Sequence, residues 1–264
     1  MEHISGGDSF ESSSDFLEAY IDETVGVINL KDRVFEIATD LSLKDAFFKK
    51  IRLADLLPSI EVLLILSAES AMGEEKHAQF MKTIVESFNG EMNLFREENA
   101  LSQFIQLMCG FEKIVVSGVR GSVVGAFLGA ILATDHRITT DNTVFSFPHI
   151  RYQMPPQGAL AFFLPKYVGI MKAKKILLSG DSLSATQAHE LGLVDETVTD
   201  DSFEQGCIKE AKNISRIPSS VVGMTKHLMQ CDLKGLATYF EMEASLAVKN
   251  KIKLPPDETK SKNI

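Results

Sequence analysis

Gly121-Ser-Val-Val-Gly125-Ala-Phe-Leu-Gly129-Ala-Ile-Leu-Ala133-Thr-Asp135-His-Arg137 is the stretch on which the fold of this chain turns. Gly121, Gly125 and Gly129 recur at every fourth position, with Ala126, Ala130 and Ala133 beside them. No Lys-Ser/Thr follows the last glycine, so this is not a phosphate loop, and the spacing is not G-x-G-x-x-G either. Two readings stay open on the residues alone. Small side chains let a helix pack closely against its neighbours. They also let a ligand approach a helix N-terminus, where free backbone N–H groups and the helix dipole stabilise negative charge on an oxygen.

Working outward, Ile114 to Val116 is predicted as a strand leading into this segment, and a short strand is predicted near Arg137 to Thr139. Upstream, Thr24 to Leu30 places Val25 and Val27 on one face of a strand, with Val34 to Ile37 as its hairpin partner. Ser42 is expected to cap a helix with Asp45 in its first turn and Leu43, Phe47 and Ile51 on one face. Val62 to Leu66 is continuously apolar, as in a strand covered on both sides. Strand, helix and strand in this order form a crossover and predict a parallel sheet in an α/β fold. Asn89-Gly90 breaks the following helix, and another is predicted from Glu97 to Met108. Downstream, Gly180 and Gly192 suit helix C-termini, and Ser184 with Gln187 fits a capping box. Helices are predicted near Phe203 to Ile214, Ser219 to Met229 and Leu236 to Lys249. The expected organisation is a disordered segment 1–14, a core 15–198, a helical region 199–254 and a polar tail 255–264.

A chain of 264 residues, 45% hydrophobic, can bury one large core. Its net charge of −9 excludes a general nucleic-acid binder, whose affinity rests on Lys and Arg neutralising phosphates. Cys109, Cys207 and Cys231 are widely spaced, with no C-x-x-C or Cys/His cluster, so neither a disulfide framework nor a metal site is indicated. No signal-peptide pattern opens the chain, and Val123 to Ala133 is too short an apolar run to span a bilayer. A cytoplasmic protein with no membrane partner is expected.

Further pieces follow in a fixed order. They are Val119-Arg-Gly121, Gly125-Ala126, Ala133-Thr-Asp135-His-Arg137-Ile138, Phe145-Ser-Phe-Pro148, Pro156-Gln-Gly158, Leu164-Pro165 with Val168-Gly169, Leu178-Ser-Gly180-Asp181, Ser184-Ala185 with Ala188, and Gly192-Leu-Val194. From about Lys113 to Val198 their order and spacing resemble the crotonase (enoyl-CoA hydratase/isomerase) superfamily. The resemblance implies a crotonase-like spiral of ββα turns with a C-terminal helical region, assembled as a homotrimer or hexamer. It implies an acyl thioester substrate and no tightly bound cofactor, with CoA or a carrier-protein phosphopantetheine arriving as part of the substrate. An acyl carrier protein is then the alternative partner. It further implies an oxyanion hole of two backbone N–H groups. Ala126 occupies one position. The other belongs to the loop Ala68-Glu-Ser-Ala-Met-Gly73-Glu74, shorter than is usual in the family, where Gly73 is the expected donor.

The departures matter as much. Ordinary hydratases of the family carry one Glu in the glycine-rich helix and one after the Phe-x-x-Pro strand; those positions here are Gly129 and His149. Adding water across a double bond needs a positioned acid and base. Gly129 cannot serve, and His149 either titrates in a useful range or is a hydrogen-bonded residue in a packed wall. Tyr152 can donate a hydrogen bond, and Arg151 can hold a carboxylate or simply be solvated. Decarboxylases of glutaconyl-type acyl thioesters in polyketide β-branching also lack the two carboxylates. This chain is similar to them at Arg151-Tyr152, Pro156, Phe162, Pro165-Lys166 and near Lys226-His227. That similarity offers His227 as a proton donor, against a polar residue on an exposed helix face. Lys76 and His77 either reach the site or are solvated. The expected function is enolate chemistry on an acyl thioester, decarboxylation or isomerisation ahead of hydration. The alternatives are a hydratase/isomerase using His149, and a non-catalytic binder of acyl-CoA or an acyl carrier protein.

Overall fold

The structure is a computed structural model and describes residues 9–229, 233–249 and 254. Residues 1–8, Cys231 and the expected polar tail 255–264 lie outside the described residues.

The chain opens with β1 (Ser12–Ser13), β2 (Leu17–Asp22) and β3 (Val25–Leu30), an antiparallel meander in which Leu17 faces Leu30 and Ser12 faces Ala19. Two expectations are corrected here. Residues 9–14 are ordered into the fold, because Phe10 is buried in the core and β1 pairs with β2. The hairpin partner of β3 precedes it, and Val34 to Ile37 belongs to α1 (Val34–Thr39). Val34, Phe35, Ile37 and Ala38 are buried together, a helical pattern that four residues cannot distinguish from a strand. In α2 (Leu41–Leu56) the cap is Asp40 rather than Ser42: its carboxylate accepts from the Ser42 and Leu43 N–H groups at 2.8 and 3.1 Å. Every residue of β4 (Val62–Ser67) is buried, and it pairs in parallel with β3.

After α3 (Glu74–Glu86) comes α4 (Gly90–Gly110), which begins at Gly90 rather than Glu97. Then follow β5 (Ile114–Val119), β6 (Ser122–Val124), α5 (Gly125–Ile131), β7 (His136–Thr140), β8 (Val144–Ser146) and a 3-10 turn at Pro148–Ile150. The remainder is α6 (Leu160–Val168), α7 (Ile170–Ser179), β9 (Leu183–Ser184), α8 (Ala185–Glu190), β10 (Glu196–Val198), α9 (Phe203–Ile214), α10 (Ser219–Met229) and α11 (Leu233–Lys249). The predicted capping box on α8 is present: Ser184 Oγ accepts from the Gln187 N–H while Gln187 reaches back to the Ser184 N–H.

Seven strands form the main sheet in the order β1-β2-β3-β4-β5-β7-β10, parallel from β3 onward; β6, β8 and β9 form a smaller sheet. This is the α/β class expected. One face packs on α1, α2, α4 and α5 through residues such as Phe47, Ile51, Leu101 and Leu128. The other is covered by α9 through Phe203, Cys207 and Ala211. In parallel sheets, ligand sites gather beyond the carboxyl ends of the strands. Here the loops leaving β4 and β5 are laced together at that end. Ser70 N–H donates to Arg120 O at 3.1 Å, Ser122 N–H to Ser70 Oγ at 3.0 Å and Val124 N–H to Met72 O at 2.8 Å. Gly121 sits at φ +71°, and a Cβ there would lie 2.4 Å from Ser70 Oγ, so the lacing requires glycine.

Candidate active site

The lacing presents the start of α5 to a cleft. Val124, in extended conformation, is the N-cap, and Ala126 is the second helical residue. Its N–H belongs to the first turn, which has no intrahelical acceptor. Val124, Gly125 and Ala126 form one wall of a small cleft open to solvent. The opposite walls include His77, His149, Tyr152, Met154 and Gln157. The structure therefore brings together Ala126, His149 and Tyr152, and adds His77 from α3. Lys76 is not there: it pairs with Asp32 at 2.7 Å on the surface.

Each polar group in the cleft is neutral near pH 7. Burial pushes the His77 imidazole down to about 4, with the Arg151 charge adding to the effect. His77 packs edge-on against the Tyr152 ring at 5.2 Å, and its buried Nδ1 has no hydrogen-bond partner. Burial raises the Tyr152 phenol above its ordinary value, so it remains a donor; its hydroxyl bonds to no described residue. His149 Nε2 lies 3.0 Å from Leu177 O, and burial lowers its pKa, so a neutral ring with N–H on Nε2 fits the geometry. Arg151 is paired with Glu74 on the surface.

Two expected site residues are not placed as the sequence suggested. The Gly73 N–H donates to Ser70 O at 2.8 Å, closing the turn before α3, so it is not free to receive an oxyanion. The adjacent Met72 N–H has no acceptor among the described residues, while its carbonyl holds Val124. His227 is exposed on α10. That helix is anchored by Lys226, which reaches Lys113 O at 3.0 Å and Asp135 at 2.6 Å. Lys113 precedes β5 and Asp135 follows α5, so α10 sits at the end of the fold opposite Ala126. His227 is outside the cleft.

Gly129 presents the sharpest feature. A Cβ built on it would lie 2.1 Å from Gly158 O and 2.8 Å from Leu160 N. Reciprocally, a Cβ on Gly158, at φ +66°, would lie 2.1 Å from Ala126 O. The backbone of 158–160 thus occupies the space a side chain at 129 would need. Behind this wall lie buried carboxyls the sequence reading missed. Glu243 accepts from the Gly158 and Ala159 N–H groups at 3.1 and 3.2 Å, and Glu98 accepts from Gln157 Nε2 at 3.0 Å. Glu97 is fully buried with neither oxygen bonded, and burial pushes its carboxyl up to about 8. Burial likewise raises Glu243 to about 7. Nothing local marks them: Arg96-Glu97-Glu98-Asn99 reads as a solvated helix face, and only tertiary packing shows otherwise.

A family model described as enoyl-CoA hydratase/isomerase matches residues 81–254. The chain belongs to the enoyl-CoA hydratase/isomerase family. It is 27% identical over 126 residues to 4-chlorobenzoyl coenzyme A dehalogenase-1 of Arthrobacter sp, covering 48% of this chain and 46% of that one. It is 28% identical over 130 residues to the peroxisomal enoyl-CoA delta isomerase 3 of Mus musculus, covering 49% and 41%. The chain spans about half the length of these curated relatives. The crystal structure of enoyl-CoA hydratase from Bacillus halodurans superposes with a TM-score of 0.74 at 18% identity, covering 89% of this chain and 94% of that one. At that identity the likeness speaks for the fold, and it supports the crotonase-like architecture. Within the enoyl-CoA hydratase/isomerase family, this member has a blocked position at Gly129 and a backbone-tied imidazole at His149. Among the described residues no helix is long and apolar enough to cross a membrane, and no group of His, Cys, Asp and Glu could hold a metal.

Proposed function

We propose that this family member is an acyl-thioester enzyme that stabilises an enolate at the start of α5 and performs decarboxylation or double-bond isomerisation rather than hydration. The observation that carries the proposal is the closure of Gly129 by the Gly158 carbonyl, 2.1 Å from where a side chain would begin. Hydration needs a base to activate water and an acid to protonate carbon. The cleft offers two neutral imidazoles and a phenol. Decarboxylation needs less. The bond to the carboxylate carbon breaks, CO₂ leaves, and the electron pair enters the enolate. The thioester oxygen then bears the charge against the Ala126 N–H, with Met72 N–H as second donor, and the carbon takes a proton from Tyr152.

The thioester carrier is CoA or a carrier-protein phosphopantetheine. Assembly as a trimer or hexamer is part of the proposal. It is supported by exposed apolar side chains on α7 (Ile170, Met171, Leu178) and α10 (Met224, Leu228, Met229). A cytoplasmic setting is supported by the buried free thiol of Cys207. Binding without turnover is the second reading, favoured by the Gly73 N–H bonding to Ser70 O, which removes one donor.

The test is turnover of a panel of β,γ-enoyl-, α,β-enoyl-, α-carboxyacyl- and glutaconyl-type CoA thioesters, followed by chromatography of the products. Loss of CO₂ or migration of the double bond is expected. Rapid hydration of crotonyl-CoA overturns the proposal, and tight binding without any product moves the weight to the second reading.

A further inference from the structure

His77 lines the cleft from near the start of α3 and is only 6% exposed. Its Nδ1 is buried and unbonded. Its Nε2 has no hydrogen-bond partner among the described residues either, but it is not one of the buried unbonded atoms, so it is the ring nitrogen that meets the cleft. Orphaned buried N–H groups are rarer in proteins than under-satisfied acceptors. That places the ring proton on Nε2, where a bound molecule can accept it, and leaves the lone pair on the buried Nδ1.

A substrate that loses CO₂ brings a carboxylate into the cleft. No lysine or arginine lines the cleft, and Arg151 pairs outside it with Glu74. The side-chain donors there belong to His77, His149, Tyr152 and Gln157. His149 Nε2 lies 3.0 Å from Leu177 O, and Gln157 Nε2 is tied to Glu98 at 3.0 Å. Tyr152 has one proton, and the reacting carbon requires it. The Nε2–H of His77 remains. Its ring stands edge-on to the Tyr152 ring, with centroids 5.2 Å apart, so the two donors flank one place. In an α-carboxyacyl thioester the carbon that loses CO₂ is the carbon that gains the proton, and two adjacent donors suit both events. Burial and the Arg151 charge keep the ring neutral near pH 7. A neutral donor orients a carboxylate without the strong ground-state hold of a cation, which would oppose the loss of CO₂.

We infer that His77 is a further catalytic residue, whose Nε2–H binds and orients the carboxylate that leaves as CO₂. This rests on the proposed enolate chemistry and selects decarboxylation within it. The bond to the carboxylate carbon breaks and its electron pair enters the enolate. CO₂ leaves the imidazole with the ring proton still in place. Tyr152 protonates the carbon, and water returns a proton to the phenolate.

The experiment measures CO₂ release from malonyl-CoA and glutaconyl-CoA by the full-length protein, by His77→Leu and by His77→Gln. Beside it, calorimetry measures binding of acetyl-CoA and crotonyl-CoA, which lack the carboxylate. Circular dichroism and assembly state establish that each variant folds. His77→Leu is expected to lower kcat/KM about 10- to 100-fold, as for the loss of one hydrogen bond to a charged group, with binding of the carboxylate-free thioesters unchanged. His77→Gln keeps an N–H donor and should return most of that loss. In the unaltered protein, the His77 ring-nitrogen NMR signals should report the Nε2–H tautomer and shift with glutaryl-CoA but not with butyryl-CoA; this readout stands even where a variant fails to fold. Parental kcat/KM in His77→Leu, equal loss in both variants, a parallel loss of acetyl- and crotonyl-CoA binding, or no shift with glutaryl-CoA overturns the assignment. Migration of the double bond in a β,γ-enoyl-CoA without CO₂ release from either carboxylated thioester overturns it and leaves the enolate function standing. Turnover of no thioester at all sinks the function, and the assignment with it.

Discussion

Gly129→Ala adds one methyl group, and the structure sets its consequence. The new carbon would lie 2.1 Å from Gly158 O and 2.8 Å from Leu160 N, where ordinary contact begins at 3.4 Å. Both are backbone atoms, so no side chain can swing aside; the 158–160 segment or α5 must move by over 1 Å. Gly158 is itself tied by its N–H to Glu243 at 3.1 Å, which resists that movement. Against this, replacing glycine by alanine inside a helix favours folding by about 1 kcal/mol. Overpacking costs typically 1–3 kcal/mol and occasionally more. The rigid backbone on both sides puts this site at or above the upper end. The net expectation is a loss of about 2 kcal/mol, or about 4–8 °C in melting temperature for a chain of this size. Differential scanning calorimetry of the two proteins measures it. Gly129→Glu should be more damaging and should gain no hydration of crotonyl-CoA, because the carboxylate has nowhere to go. A Gly129→Ala protein as stable as its parent would refute the closure, as would a folded Gly129→Glu protein that hydrates crotonyl-CoA.

The unaltered protein is expected to hydrate crotonyl-CoA at no more than background rate, measured by loss of the enoyl absorbance; fast turnover sinks the reaction assignment. Ala126→Pro removes the N–H placed against the thioester oxygen and should cost 10²–10³ in kcat, about 2.7–4 kcal/mol; a folded, assembled variant at parental rate would place the hole elsewhere. The Glu97 carboxyl, raised to about 8, keeps its proton in the folded state where the unfolded chain has lost it, so stability falls as pH rises towards 8. Between pH 7 and 8 His77, pushed down to about 4, is largely neutral in both states, and Glu243, raised to about 7, adds a smaller slope of the same sign, so the Glu97 share of the loss, roughly 1 kcal/mol, should disappear in Glu97→Gln and leave the smaller Glu243 slope; urea midpoints that keep the full slope would refute this. Light scattering should return a trimer or hexamer, and a monomer mass at micromolar concentration contradicts the assembly.

Elements whose own residues carry the decisive signal were legible in the sequence. Val62 to Leu66 read as a strand covered on both faces, which it is, and Ser184 with Gln187 marked a helix start through their own side-chain bonds. Elements decided by what packs on them were not. Val34 to Ile37 has strand-like residues but becomes helix because four apolar side chains face the core on one side. The polar first turns of α4 hid a helix whose Leu94 and Glu97 point inward. The same division runs through the site. The helix that starts at Gly125 was legible because small residues recur at helical spacing, while the place of Ala126 in a cleft came only from the family resemblance. The Gly73 N–H was not legible, because its acceptor is a carbonyl three residues away in a turn no motif predicts. His227 lies outside the cleft for a topological reason: its position depends on which end of the sheet α10 meets, which local sequence does not encode.

The closure at Gly129 also bears on whether the missing carboxylates mean decay or reconstruction. Deleting a buried Glu side chain from an otherwise unchanged fold would leave a void, and cores tolerate voids poorly. Here the Gly158 carbonyl fills the space. That placement needs a left-handed residue at 158, at φ +66°, and a partner for its N–H, supplied by Glu243. Residues 129, 158 and 243 come from three separate parts of the chain, and none of them alone explains the arrangement. Removing Glu243 would leave two buried N–H groups without an acceptor. Adding a Cβ at 129 or 158 would part the two backbones. The three choices are mutually dependent, so the wall stands only when all three are present. This wall places Gln157 in the cleft, bonded to Glu98, beside the neutral His77 and Tyr152. Under the proposed function, with the Ala126 N–H against the thioester oxygen, a cleft lined by neutral groups is suited to holding an enolate, because the backbone donor there meets no competing side-chain charge.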